Sequence, residues 1–185
     1  MEQIVNRKDK IHIMKKLQMV DLSSQYHKIK GEIDEAVNKV IESTAFINGP
    51  ETKLFATELA SYLDVKHVIP CGNGTDALQL SMMALDLQPG DEIITTTFTF
   101  IATAEVIALL KLKPVLVDIQ PNTFNIDIEA IKNAITIRTK AIVPVHLFGQ
   151  CANMEEIIKI AREYDLYVIE DACQAIGAEC FFSDK

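Results

Sequence analysis

VIPCGNGTDALQL, residues 68–80, is the stretch that decides how this chain folds. It reads as a short buried strand, a glycine-rich loop and the opening of a helix. Gly72 and Gly74 have no Cβ, so the backbone there can turn sharply and come close to a ligand. Thr75 and Asp76 fall in the first helical turn, where unpaired N–H groups and the helix dipole favour an anion. Phosphate is the obvious anion. A plain strand-to-helix turn that binds nothing would use the same glycines.

Outward from this stretch the pattern alternates. Strand 67–71 leads to helix 75–87, and Gln88-Pro89-Gly90-Asp91 is a turn. Strand 92–96, helix 101–111, strand 114–118, a short helix 128–134, strand 141–146, helix 154–164 and strand 166–170 follow. Strands rich in Val and Ile alternating with helices define an α/β chain with a mostly parallel sheet and flanking helices. Upstream, Tyr26, Ile29, Ile33, Val37, Val40 and Ile41 recur at helical spacing within 23–41. Pro50 suits the first turn of a second helix carrying Phe55, Leu59 and Leu63. Residues 1–20 read as a partly disordered N-terminal extension, and 21–185 as the folded part.

In open α/β sheets the ligand sits beyond the carboxyl ends of the strands. Those ends are Gly72–Asp76, Thr97–Phe100, Asp118, His146–Gly149 and Asp171–Gln174. Asp171 follows the apolar run Leu166–Ile169, so its carboxylate is partly desolvated and wants a cationic or N–H partner. A protonated pyridine nitrogen would serve, and pairing would keep that ring an electron sink. Capping the next segment, or pairing with a nearby Lys or Arg, is the other use. Gln174 is placed to donate to a ring oxygen, or is a surface amide. Phe98 and Phe100 either stack on a planar cofactor or fill core. His146 reads as a hydrogen-bonded structural residue more readily than as a base.

The 185 residues are 49% apolar and carry a net charge of −8. That is one domain's worth of core. No basic stripe suits nucleic acid, no apolar run suits a membrane span, and residues 1–13 lack the apolar centre of a signal peptide. Cys71, Cys151, Cys173 and Cys180 form no CxxC and read as small buried hydrophobes in a reducing cytoplasm, with no metal site.

CGNGTDALQL, PGDEIITTTFTFIATAE, KPVLVDI, RTKAIVPVHLFGQCANMEEI and IEDACQAIGA, with VDLSSQY and FINGPE upstream, resemble the successive blocks of the DegT/DnrJ/EryC1/StrS family. These are pyridoxal 5'-phosphate sugar aminotransferases of fold-type I. The likeness runs from about Val20 to Glu179. The glycine and GQCA blocks are most similar to aminotransferases of UDP-2-acetamido-2-deoxy-3-keto-hexuluronate, a precursor of bacterial surface polysaccharide. The resemblance implies that Gly74, Thr75 and Asp76 bind the cofactor phosphate, Phe100 stacks on the ring, Asp171 pairs with the ring nitrogen and Gln174 contacts the ring hydroxyl oxygen. Phe98 then becomes packing. It also implies a nucleotide-sugar substrate, glutamate as amino donor and a homodimer.

The family's next block carries a phosphate-binding serine and the lysine that condenses with the cofactor's aldehyde. Lys111, Lys140 and Lys185 do not match that context. The chain is therefore expected to be the N-terminal part of an incomplete fold-type I major domain, without the small domain and unable to transaminate alone. Two later strands would belong between strand 67–71 and strand 141–146, leaving the latter an open edge. Three other readings compete. A dehydratase of the same fold replaces the lysine by histidine. An NAD-binding Rossmann oxidoreductase fits G-x-G-x-x-A at 72–77, but Thr95-Thr96 stand where its ribose-binding acid belongs. The third is a non-catalytic fragment.

Overall fold

A computed structural model describes residues 6–7, 10–11 and 20–183. The expected extension 1–20 lies outside the described residues, save for two-residue strands β1 (Asn6–Arg7) and β2 (Lys10–Ile11), paired antiparallel, and Val20. Lys185 lies outside them too. The chain divides into two compact units, 1–55 and 56–185.

The first unit is built on α1 (Leu22–Ser43). Asp21 caps its start by accepting the Ser24 N–H at 3.0 Å, and Thr44, left-handed at φ 55°, ends it. Lys30 pairs with Asp34 one turn on, and Lys39 with Glu35 at 2.7 Å. The expected apolar stripe is there, but no α1 residue is buried. The next helix, α2 (Pro50–Tyr62), opens on Pro50 as its spacing requires.

The second unit holds α3 (Gly74–Met83), β3 (Glu92–Thr96), α4 (Ala102–Leu109), β4 (Lys113–Val117), α5 (Ile128–Ala134), β5 (Thr139–Val143), α6 (Met154–Glu163) and β6 (Tyr167–Val168). The strands pair in parallel in the order β4-β3-β5-β6. Side chains alternate across the two faces of each strand. Ile93, Ala141 and Val143 pack against Leu78, Met82, Val106 and Ile107 of α3 and α4. Ile94 and Ile142 pack the other way, against Ile131, Ile157 and Ile160 of α5 and α6. Helices thus cover both faces, which is why β3 reads as an unbroken buried run.

Four expectations need correcting. Segment 67–71 is extended but pairs with no strand among the described residues, and Ile69 is 83% exposed. A strand forms only where a neighbour takes up its backbone hydrogen bonds, and the described residues offer this segment none. The open edge is β6, because β5 lies between β3 and β6. Strand β5 stops at Val143 instead of 146, since Pro144 has no N–H to extend the ladder. Pairing resumes one step on, as the isolated bridge Val145–Asp171. None of the four cysteines is buried: Cys151 is half-buried and Cys71, Cys173 and Cys180 are exposed. All four fall in loops.

Two glycines beyond the site are sterically restricted, and at Gly49 a Cβ would lie 2.3 Å from the Ala45 carbonyl oxygen. Gly177 has φ 78°, and a Cβ there would lie 2.5 Å from the Tyr62 hydroxyl. Gly177→Ala is expected to cost about 1–2 kcal/mol for the left-handed backbone alone, and more for the overlap. Adding Tyr62→Ala should relieve only the overlap. Urea melts of the single and double variants measure this, and full recovery in the double variant would show that the backbone conformation carries no cost.

Candidate active site

The site lies where β3, β5 and β6 end and α3 begins. Asn73 is the N-cap of α3, and its side-chain oxygen accepts the Asp76 N–H at 2.9 Å. Among the described residues, the N–H groups of Gly74 and Thr75 meet no protein acceptor. They stand at the positive end of the helix dipole, as an anion would need. A Cβ at Gly74 would sit 2.8 Å from the Cys173 sulfur, which would have to shift to admit it. Asp76 differs from expectation. Its N–H belongs to the cap, its carboxylate accepts from the Asn73 amide at 3.1 Å, and it does not line the cleft. The preference for Asn at an N-cap could have shown this from the sequence.

A cleft of about 310 Å³ brings together Gly74, Thr75, Phe100, Asp171 and Gln174. Five of the six expected residues therefore converge. Four of the five strand ends contribute; the Asp118 end, after the edge strand β4, does not. Phe100 is 74% exposed and lines the cleft. Phe98 packs instead against Phe124, ring centres 5.6 Å apart.

Asp171 is 7% exposed. Its N–H donates to the Pro144 carbonyl at 2.9 Å and its carbonyl accepts the His146 N–H at 3.0 Å, so the backbone is stitched to the continuation of β5. Its Oδ2 accepts from the Thr103 hydroxyl at 2.8 Å, and its Oδ1 from the Cys173 N–H at 3.3 Å. The capping use and an open carboxylate thus coexist. Gln174 reaches across the rim: its side-chain oxygen accepts the Phe148 N–H at 2.8 Å. Since that partner is a donor, the orientation of the amide is fixed and its NH2 is left for another acceptor. Phe148 and Gly149 hold positive φ, 56° and 85°, in the turn this bond secures.

His146 is 3% exposed and hydrogen-bonded at both ring nitrogens. Its Nδ1 accepts the Ala152 N–H at 3.1 Å, so Nε2 carries the proton and donates to Glu170 at 2.8 Å. That bond holds the Glu170 carboxyl below its ordinary range. Partial desolvation of the Cys173 thiol, with its hydrogen bond to Asp171, pushes it up to about 11. Thr99, Thr103 and Glu170 escaped sequence reasoning. A threonine in an apolar helix carries no local mark of a partner 68 residues away.

The DegT/DnrJ/EryC1/StrS aminotransferase family model matches residues 27–181, and the chain belongs to that family. It is 52% identical over 161 residues to a protein named "Pleiotropic regulatory protein" from Geobacillus stearothermophilus, covering 87% of this chain and 43% of that one. It is 49% identical over 162 residues to UDP-2-acetamido-2-deoxy-3-oxo-D-glucuronate aminotransferase of Pseudomonas aeruginosa, covering 88% and 45%. A crystal structure of a DegT/DnrJ/EryC1/StrS aminotransferase from Brucella abortus overlays with a TM-score of 0.84 at 42% identity, over 87% of this chain and 45% of that one. GDP-4-keto-6-deoxy-D-mannose-3-dehydratase of E. coli, solved with bound hydrated PLP, overlays at 0.74 and 34% identity, over 82% and 40%. The chain spans less than half the length of these proteins. The parallel sheet with flanking helices is the fold-type I arrangement that the sequence implied.

Proposed function

We propose that this chain forms the phosphate-and-ring wall of a pyridoxal 5'-phosphate site in an aminotransferase acting on a nucleotide-linked keto-sugar, with a UDP-sugar as substrate and glutamate as donor. The observation that carries the reading is the single cleft joining the free N–H groups of Gly74 and Thr75 to the Asp171 carboxylate. The donor set fits the cofactor: an anion cup, an exposed aromatic face, a buried carboxylate and an amide NH2 on one cavity. When bound, the cofactor supplies an aldehyde that takes up the amino group and a ring that withdraws electrons from the bond being broken.

The chain's residues then have distinct tasks. Gly74 and Thr75 bind the phosphate through backbone N–H groups, and Phe100 covers one ring face. Asp171 holds a proton on the ring nitrogen, which keeps the ring cationic. Gln174 donates its NH2 to the ring hydroxyl oxygen. Leu78, Val145 and Leu147 line the same cleft and keep water from it. A role in surface polysaccharide synthesis, a cytoplasmic setting and a homodimer with shared sites complete the reading. Among the described residues no lysine lines the cleft.

Titration of the purified chain with pyridoxamine 5'-phosphate, which needs no lysine, tests the binding half. Saturable one-to-one binding, competed by inorganic phosphate, is expected; heat evolution that never saturates would refute it. Incubation with pyridoxal phosphate, glutamate and a UDP-linked 3-keto-sugar should give no aminated sugar above a protein-free blank. The overlay with the E. coli dehydratase favours one second reading, elimination of a sugar hydroxyl. Product analysis on the longer relatives separates the two: an added amine against lost water.

A further inference from the structure

Thr103, the second residue of α4, is 1% exposed. A threonine inside a helix often returns its hydroxyl to the carbonyl four residues back. That of Thr103 instead donates to Asp171 Oδ2 at 2.8 Å. A hydroxyl has one proton, so with it committed to Asp171 the Thr103 oxygen is the acceptor toward Thr99 Oγ1, 3.4 Å away. Thr99 belongs to the loop that carries Phe100, and both threonines line the cleft. The Cys173 N–H holds the other carboxylate oxygen at 3.3 Å. The Thr103 hydroxyl thus holds one oxygen and the Cys173 N–H the other, with the Cys173 thiol beside the carboxylate, and two held oxygens define the plane of the group.

We infer that Thr103 is a positioning residue for Asp171: the Thr99–Thr103–Asp171 hydrogen-bond chain sets the angle at which the carboxylate meets a ring nitrogen. The inference rests on the cofactor reading above. Without Thr103, Asp171 keeps only the longer bond from Cys173 and turns about its χ angles. That turn weakens pairing with a cationic ring nitrogen and leaves the phosphate cup at Gly74 and Thr75 untouched. The chain also ties the loop bearing the ring-stacking Phe100 to the residue that pairs with the ring edge, so face and edge are registered together.

The test compares two ligands on the purified chain by calorimetry: pyridoxamine 5'-phosphate, and its analogue with C–H in place of the ring nitrogen. Thr103→Val is expected to weaken the first about tenfold, the scale of one hydrogen bond to a charged group, and to leave the second within about twofold. Thr103→Ser should restore the first. Thr99→Val, one link further out, should cost about two- to threefold on the first only. Equal losses on both ligands, or no loss on the first, would overturn the inference while leaving the cofactor reading intact. Wild-type chain that binds neither ligand would bring down the reading and the inference together. If the valine variant does not fold, Thr103→Ala set against Thr103→Ser makes the same comparison.

Discussion

Asp171→Asn is expected to weaken binding of pyridoxamine 5'-phosphate by roughly 10- to 150-fold, the equivalent of about 1.5–3 kcal/mol for a hydrogen bond to a charged group. Asparagine keeps the shape, and the Thr103 hydroxyl can still donate to its oxygen. What goes is the negative charge, and the new NH2 presents a donor to the ring nitrogen's own N–H. The phosphate end should be untouched, so competition by inorganic phosphate stays as in the wild type. Dialysis or calorimetry measures both. Unchanged affinity would mean that Asp171, despite lying on the cleft with Gly74 and Thr75, serves only to cap the Cys173 backbone and to receive Thr103.

The second large effect lies at the opposite end of the sheet and concerns stability. Glu92 opens β3 and is 1% exposed. Its Oε1 meets Lys113 at 2.9 Å and Arg138 at 2.8 Å, and its Oε2 accepts from the Thr136 hydroxyl. Thr136 most of all, then Lys113 and Arg138, outweigh burial and hold its carboxyl down at about 2, from an ordinary 4.5. A carboxylate depressed in the folded state stabilises it fully above the unfolded value, and that contribution is lost as pH falls through the folded one. The stabilisation from Glu92 should therefore be complete at neutral pH and disappear between about pH 4.5 and 2. Glu92→Gln should cost roughly 1.5–3 kcal/mol at pH 7. Lys113 and Arg138 are more than half exposed and rehydrate, which limits the loss. Urea denaturation at pH 7 and pH 2.5 measures it: the difference between the two proteins should be full at the first and much reduced at the second. A gap that persists in acid would show that shape, not charge, accounts for Glu92.

Local physics made much of this legible from the sequence. β3 and α5 fall where their patterns put them, because a run such as Glu92–Thr96 between turn residues has few other options. The cleft was legible because strand ends are its walls, and strand ends can be counted. What was not legible depended on distant partners. Residues 67–71 have strand chemistry, yet a strand exists only if a neighbour accepts its N–H groups. The edge was assigned to β5 because pairing order is a property of the whole sheet, and nothing in Thr139–Val143 records that β6 lies on its far side. Asp76 stands apart from the cleft for a local reason: Asn73, three residues earlier, accepts its N–H.

The carbonyl of Pro144 receives the amide of Asp171, and the amide of His146 returns the bond. This carboxylate is consequently bracketed to the interior of the sheet, although it follows the outermost strand in sequence. Fraying or rebuilding along the margin at Tyr167–Val168 would leave its bearing toward Gly74 unchanged. The terminal strand can accept new company, or lose it, without disturbing the chemistry one residue past its end.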